Sequence, residues 1–264
     1  MKNLKKLLWG AAFGTLAMAS VNAGPVDGKK DVIKDCTVPF TGTVSFGYES
    51  DYIFRGLNCG SNAFWGSAAA NFALGSKLSV DVGAWYINPT NQRDFLFDPA
   101  NVGDELDSYA FLNFEVKGIK ASWGFTSYSF PEINSVVHGL ADTWETSLGL
   151  SKDLGPVEVG AFVAYDFDLN DGWYYELRAM KSIPLRDCLD LNLGTGIGYS
   201  DNGLLGINDW TNTYVRAGLG WHMTNTATLN LYAGYNWLLD GLNDTIGNFQ
   251  EDEIHWGTSV TVSF

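Results

Sequence analysis

Charged residues make up 17% of this sequence. Most of those that could do chemistry are twelve side chains that share one face of alternating segments: Asp51, Arg55, Asp81, Glu115, Lys120, Glu145, Glu158, Asp166, Glu176, Arg178, Asp190 and Arg216. Eight are acids and four are bases. Around a water-filled passage, such an excess of carboxylates favours cations, as acidic rings do in channels. Across a filled interior, the same groups pair and staple the wall. Asp51 and Arg55, four residues apart, admit both readings: a local field across a constriction, or a staple to neighbouring strands.

Other reactive residues are few. Of three histidines, His138 falls in a link between segments, while His222 and His255 stand on the polar face. No G-x-S-x-G elbow is present, and no histidine spacing suits zinc. His255 and Ser259 share a face, but a strand separates them by about 13 Å, too far for a hydrogen bond. No catalytic residue, cofactor or metal site is therefore expected. Two links are acidic, with Asp94, Asp98, Asp104, Glu105 and Asp107 in one and Asp240, Asp244, Glu251 and Asp252 in the other. Neither has the EF-hand pattern, so these read as solvated carboxylates suited to diffuse cation bridging with lipopolysaccharide.

The elements that position these groups begin after a leader. Lys2, Lys5 and Lys6 precede a short apolar stretch, Leu7 to Met18, and Val21-Asn22-Ala23 ends in small residues. That is the layout of a secretory signal cleaved after Ala23, and the apolar stretch falls short of the roughly 20 residues of a membrane-spanning helix. A polar periplasmic segment, 24–40, would follow. Loss of the leader's three lysines takes the net charge from −14 to −17. Such a balance excludes nucleic acid as a partner, because phosphate binding needs clustered Lys and Arg.

From residue 41 to the end, 41–264, period-2 patterning dominates. Val44, Phe46, Tyr48, Tyr52 and Phe54 alternate with Thr43, Ser45, Gly47, Glu49 and Asp51. Leu78, Val80, Val82, Ala84 and Tyr86 alternate with Ser79, Asp81, Gly83 and Trp85. A strand sends successive side chains to opposite faces, so each segment has one apolar and one mostly polar face. Twelve such segments are expected, at 41–55, 62–74, 77–87, 108–117, 119–128, 143–151, 157–168, 173–182, 189–200, 211–222, 227–238 and 253–264. Even-numbered links are tight, while odd-numbered ones are mostly longer (56–61, 88–107, 129–142, 201–210 and 239–252), with 169–172 as an exception. Short periplasmic turns, longer outer loops and an even strand count describe an outer-membrane barrel with both termini in the periplasm.

A soluble β-sandwich would carry many charges on its polar face. Here that face is rich in Gly, Ser, Thr and Asn, and aromatics gather near strand ends, where an interfacial girdle would lie. The chain closes on Phe264, on the apolar face of the last segment, which resembles the C-terminal signal that outer-membrane proteins present to the barrel assembly machinery. On this topology Cys36 and Cys188 lie on the periplasmic side, and Cys59 lies in the first outer loop. Cys36–Cys188 is then the one pairing available in an exported compartment; three unpaired thiols are the alternative.

Within the first segment, Gly47-Tyr48-Glu49-Ser50-Asp51-Tyr52-Ile53-Phe54-Arg55-Gly56 resembles the S-D-Y-x-F-R-G signature of a TorF-type family of bacterial porins. The resemblance rests on about ten residues and implies a pore in a Gram-negative outer membrane without naming a solute. Taken together, the residues point to an all-β, single antiparallel transmembrane barrel. The expected function is diffusion of small hydrophilic solutes, with a cation preference. A non-enzymatic structural or adhesive barrel with a filled lumen is the alternative.

Overall fold

A sheet that is apolar along one whole face and must leave no unpaired edge in lipid closes on itself. The computed structural model describes residues 39–91, 104–131, 142–247 and 250–264, and in it the sheet closes as a barrel. Twelve strands follow in order: β1 (Phe40–Phe54), β2 (Leu57–Gly75), β3 (Leu78–Asn91), β4 (Glu105–Val116), β5 (Ile119–Ser129), β6 (Thr143–Asp153), β7 (Glu158–Asp166), β8 (Gly172–Arg186), β9 (Leu189–Asp201), β10 (Asn208–His222), β11 (Ala227–Leu238) and β12 (Glu253–Ser263). A short helix, α1 (Asp240–Ile246), precedes β12. Every strand pairs antiparallel with its chain neighbours, and β12 closes onto β1, from Thr43 opposite Ser263 to Glu49 opposite Gly257. Phe264 is locked to this seam by two backbone hydrogen bonds with Gly42: Gly42 N donates at 2.8 Å and Phe264 N donates back at 3.0 Å.

The outward face carries Phe46, Val82, Trp123, Phe125, Leu177, Val215, Leu231 and Ile254, all exposed, with Phe46 64% exposed. A soluble protein does not display so continuous an apolar surface; lipid accounts for it. At the long-loop end the outward rings touch one another around the wall. Tyr165 meets Trp173 at 4.7 Å, Tyr175 meets Tyr199 at 6.3 Å, and Tyr199 meets Trp210 at 5.4 Å, which makes the expected girdle. Among the described residues no helix is long and apolar enough to cross a membrane. Val215, midway along β10, provides a check. Val215→Arg is expected to destabilise the barrel by about 2–4 kcal/mol, the depth-dependent cost of a cation on a lipid face. Urea unfolding in lipid vesicles would measure it, and an unchanged midpoint would remove Val215 from the lipid face.

The observed ends correct the expected segments at several places. The link 56–61 is not an outer loop. Arg55 (φ 51°) and Gly56 (φ 93°) form a two-residue turn, and β2 starts at Leu57, so Cys59 lies in a strand. Positive φ at both central residues is what a type I′ hairpin requires. β3 runs on to Asn91 and β4 begins at Glu105, so Glu105 and Asp107 belong to a strand, not to a solvated loop. β8 extends to Arg186 across a register shift at Pro184, a residue that cannot donate to the ladder. The expected leader (1–23), most of the 24–40 segment, Cys36, Asp94, Asp98 and His138 lie outside the described residues.

Candidate functional site

The β1–β2 hairpin leaves the wall. Pairing of β1 with β12 stops at Glu49, and at that level Trp256 N donates to Ser50 Oγ at 2.9 Å. A register shift follows between Tyr52 and Ile53. Tyr52, expected on the lipid side, is instead buried with Ala63, Trp65 and Ile87, and its hydroxyl donates to Glu105 Oε2 at 2.9 Å. Beyond this bulge the two-stranded ribbon points into the barrel mouth, and its tip meets residues from across the ring.

The contacts of the tip define its seat. Arg55 is 6% exposed and forms an ion pair with Glu145 of β6, itself 3% exposed. The Arg55 guanidinium carbon lies 4.4 Å from the ring centroid of Tyr174 in β8 and 4.8 Å from that of Phe54. Tyr128 of β5 donates its hydroxyl to Glu145 Oε1 at 3.4 Å. Gly56 presents its carbonyl to Asn236 Nδ2 at 3.1 Å and Gln250 Nε2 at 2.9 Å, while Asn58 N donates to Gln250 Oε1 at 2.8 Å. Gln250 thus grips the ribbon with both ends of one amide. A cluster of Leu204, Ile207, Leu242 and Ile246, with Phe54 and Leu57 packed against it, covers the tip from the loop side. Asp240 and Asp244, expected in a loop, lie in α1, which supplies part of this cover.

Arg55 and Asp51 were expected together on a strand face. Arg55 reaches the interior by the turn instead, and Asp51 accepts from Asn58 Nδ2 at 3.3 Å within the hairpin. The pairing registers place the other ten charged residues on the face opposite the lipid band. Asp81 accepts from Asn71 and from Asn113, the latter at 2.7 Å. Lys120 pairs with Glu158 at 2.9 Å, and Glu115 approaches Lys77 at 3.6 Å. Asp166 accepts Thr143 Oγ1 at 2.7 Å and caps the β7–β8 link through the backbone N–H of Leu169 at 2.9 Å. Glu176 accepts from Tyr214 and lies 3.9 Å from Arg178. Arg216 stacks at 3.3 Å on the Tyr232 ring and has Glu49 as an electrostatic neighbour.

Sequence reasoning missed several participants. Glu49, Glu105 and Asp107 are buried charges of the interior that alternation already marks, since each shares parity with a residue assigned inward. Gln250 carried no signal, because an amide in a loop has no pattern. His222 bridges strands, with Nε2 2.8 Å from Asp190 Oδ2 and Nδ1 3.1 Å from Thr228 Oγ1. This line of carboxylate, imidazole and hydroxyl ties β9, β10 and β11 together. Among the described residues no group of three His, Cys, Asp or Glu is arranged to hold a metal ion.

No protein-family model matches the sequence, and no curated protein matches it. Solved structures do match in fold. The COG4313 outer membrane channel from Pseudomonas putida F1 aligns over 92% of this chain and 100% of its own, at 12% identity and a TM-score of 0.50. The KdgM porin aligns over 84% of this chain and 99% of its own, at 8% identity and 0.51. The NanC porin aligns over 84% and 98%, at 13% identity and 0.50. Identities this low carry the fold: a closed antiparallel barrel of the outer-membrane channel type.

Proposed function

We propose that this barrel passes small hydrophilic solutes across a bacterial outer membrane by diffusion, with a preference for cations. The observation that carries the reading is the excess of acidic over basic groups in the interior. Among the described residues eight carboxylates are buried (Glu49, Asp81, Glu105, Asp107, Glu145, Asp166, Glu176 and Asp190) against two guanidinium groups, Arg55 and Arg216. In a passage with low-dielectric walls such an imbalance concentrates cations and repels anions. The S-D-Y-I-F-R-G stretch at the end of β1 and in the turn that follows it supports placing the chain with TorF-type porins. Assembly through Phe264 and contact of the outer loops with lipopolysaccharide belong to the same reading.

The test is a reversal potential across a planar bilayer in a potassium chloride gradient. The expected sign is that of potassium permeating faster than chloride; a chloride-selective current overturns the preference. The filled structural barrel remains the second reading, favoured by the seat of Arg55 in the mouth, and absence of both conductance steps and liposome swelling would establish it. A Cys36–Cys188 disulfide is proposed with the topology. Cys188 is exposed in the β8–β9 turn, at the end where β1 begins and β12 finishes. Mass spectrometry of non-reduced peptides should find that link, and a bond from Cys59 to either partner would contradict it.

A further inference from the structure

The seat of Arg55 is built as a cation cage. Three carboxylates converge there, those of Glu105, Asp107 and Glu145, each at most 5% exposed. Asp107 shares a side-chain hydrogen bond with Glu105 and has Glu145 as an electrostatic neighbour, and Glu105 has Arg55. Rings complete the enclosure, with Tyr174 and Phe54 against the guanidinium. Carboxylates give charge-assisted hydrogen bonds to a guanidinium or ammonium head, and aromatic faces attract the same groups through their quadrupoles. Asp107 Oδ1 is buried with no hydrogen-bond partner, and Arg55 Nε is likewise unpartnered. A buried carboxylate oxygen left in this state signals capacity for a further donor.

The occupant is also poorly suited to its backbone position. Arg55 stands at φ 51°, a left-handed conformation that asparagine or glycine adopts far more readily. An arginine there is retained against a local preference, which points to a role for its head group.

We propose that this cage is the subsite through which the barrel recognises small organic cations with a guanidinium or ammonium head, and that Arg55 is its resting occupant, exchanged for solute when the hairpin lifts. The inference rests on the channel reading. It predicts competition between a tethered and a free guanidinium.

Arg55→Asn removes the tethered cation and, with Gly56 following, suits the type I′ turn better than arginine does. Titration of detergent-purified protein with methylguanidinium, followed by calorimetry, should show saturable binding to Arg55→Asn. Wild type should bind roughly tenfold or more weakly, since only the fraction with an empty cage competes. The double variant Arg55→Asn, Glu145→Gln should lose the binding. Gln250→Ala forms a second arm: it leaves the cage intact and frees the hairpin, so its affinity should exceed that of wild type. Heat-dependent gel mobility confirms a folded barrel in each case. A folded Arg55→Asn that binds nothing overturns the proposal, as does a double variant that binds equally well or an unchanged affinity in Gln250→Ala. Bilayer recordings on the same preparations keep the two failures apart. Binding without conductance in any variant defeats the channel reading alone, whereas conductance without binding defeats the cage.

Discussion

Glu145→Ala should lower the stability of the barrel by about 3 kcal/mol, at the lower end of the cost of removing one partner from a buried ion pair. Glu145 is the direct partner of Arg55 and also accepts the Tyr128 hydroxyl. Its loss leaves a guanidinium in a dry site where one of its nitrogens is already unpartnered. Glu105 stays within electrostatic reach, which is why the effect falls at the low end. The backbone of β6 is held by its ladders to β5 and β7, so the deficit concentrates on the hairpin. Urea unfolding in vesicles measures it. The pair is isolated by a double-mutant cycle, in which Arg55→Asn with Glu145→Ala recovers most of the loss because neither charge is then stranded. A change within about 0.5 kcal/mol of wild type, the range of ordinary surface substitutions, would show that the pair does not hold the ribbon.

The barrel was legible because lipid imposes a strict rule. Val80, Val82 and Ala84 must face outward in turn, and no tertiary contact relaxes that requirement. The mouth was less legible because two rules fail there. Tyr52 follows the outward parity of Tyr48 in sequence, yet it is buried with Ala63, Trp65 and Ile87 where the ribbon leaves the wall, and that departure leaves no mark in composition. Glu105 and Asp107 look like loop carboxylates beside Asp104, although the alternation of Leu106 between them already assigns both to one face. Inside the barrel apolarity also ceases to mark the lipid side: Trp65, Ile87 and Phe162 are buried inward, filling space that in a wider barrel would be water. The twelve charged residues were found by parity, but their partners depend on which strands curve toward each other. The seat of Arg55 on β6 and β8 joins residues 90 and more positions apart, beyond any local pattern.

Gly56→Val should unseat the hairpin altogether. Gly56 stands at φ 93°, and a Cβ there would come within 2.6 Å of Asn212 Cβ and 2.8 Å of Leu242 Cδ1. A β-branched residue in left-handed backbone costs about 1–2 kcal/mol, and forcing methyl groups into a packed seat costs about 1–3 kcal/mol more. Against this stand two hydrogen bonds to the Gly56 carbonyl, worth about 0.5–1.5 kcal/mol each, and the Arg55 pair. Shifting the tip to relieve the overlap stretches both bonds at once, since Asn236 and Gln250 donate to the same oxygen. The expected result is a ribbon released toward solvent with Arg55 at its exposed end. Trypsin reads this directly, because it cuts after arginine. Wild type, with Arg55 buried, should resist cleavage at that bond, and Gly56→Val should be cut there, giving a new N-terminus at residue 56. Bilayer current should rise in parallel as the mouth clears. Protection of the variant equal to that of wild type would mean that the tip tolerates a side chain at 56 and that the seat is looser than the packing around Gly56 implies.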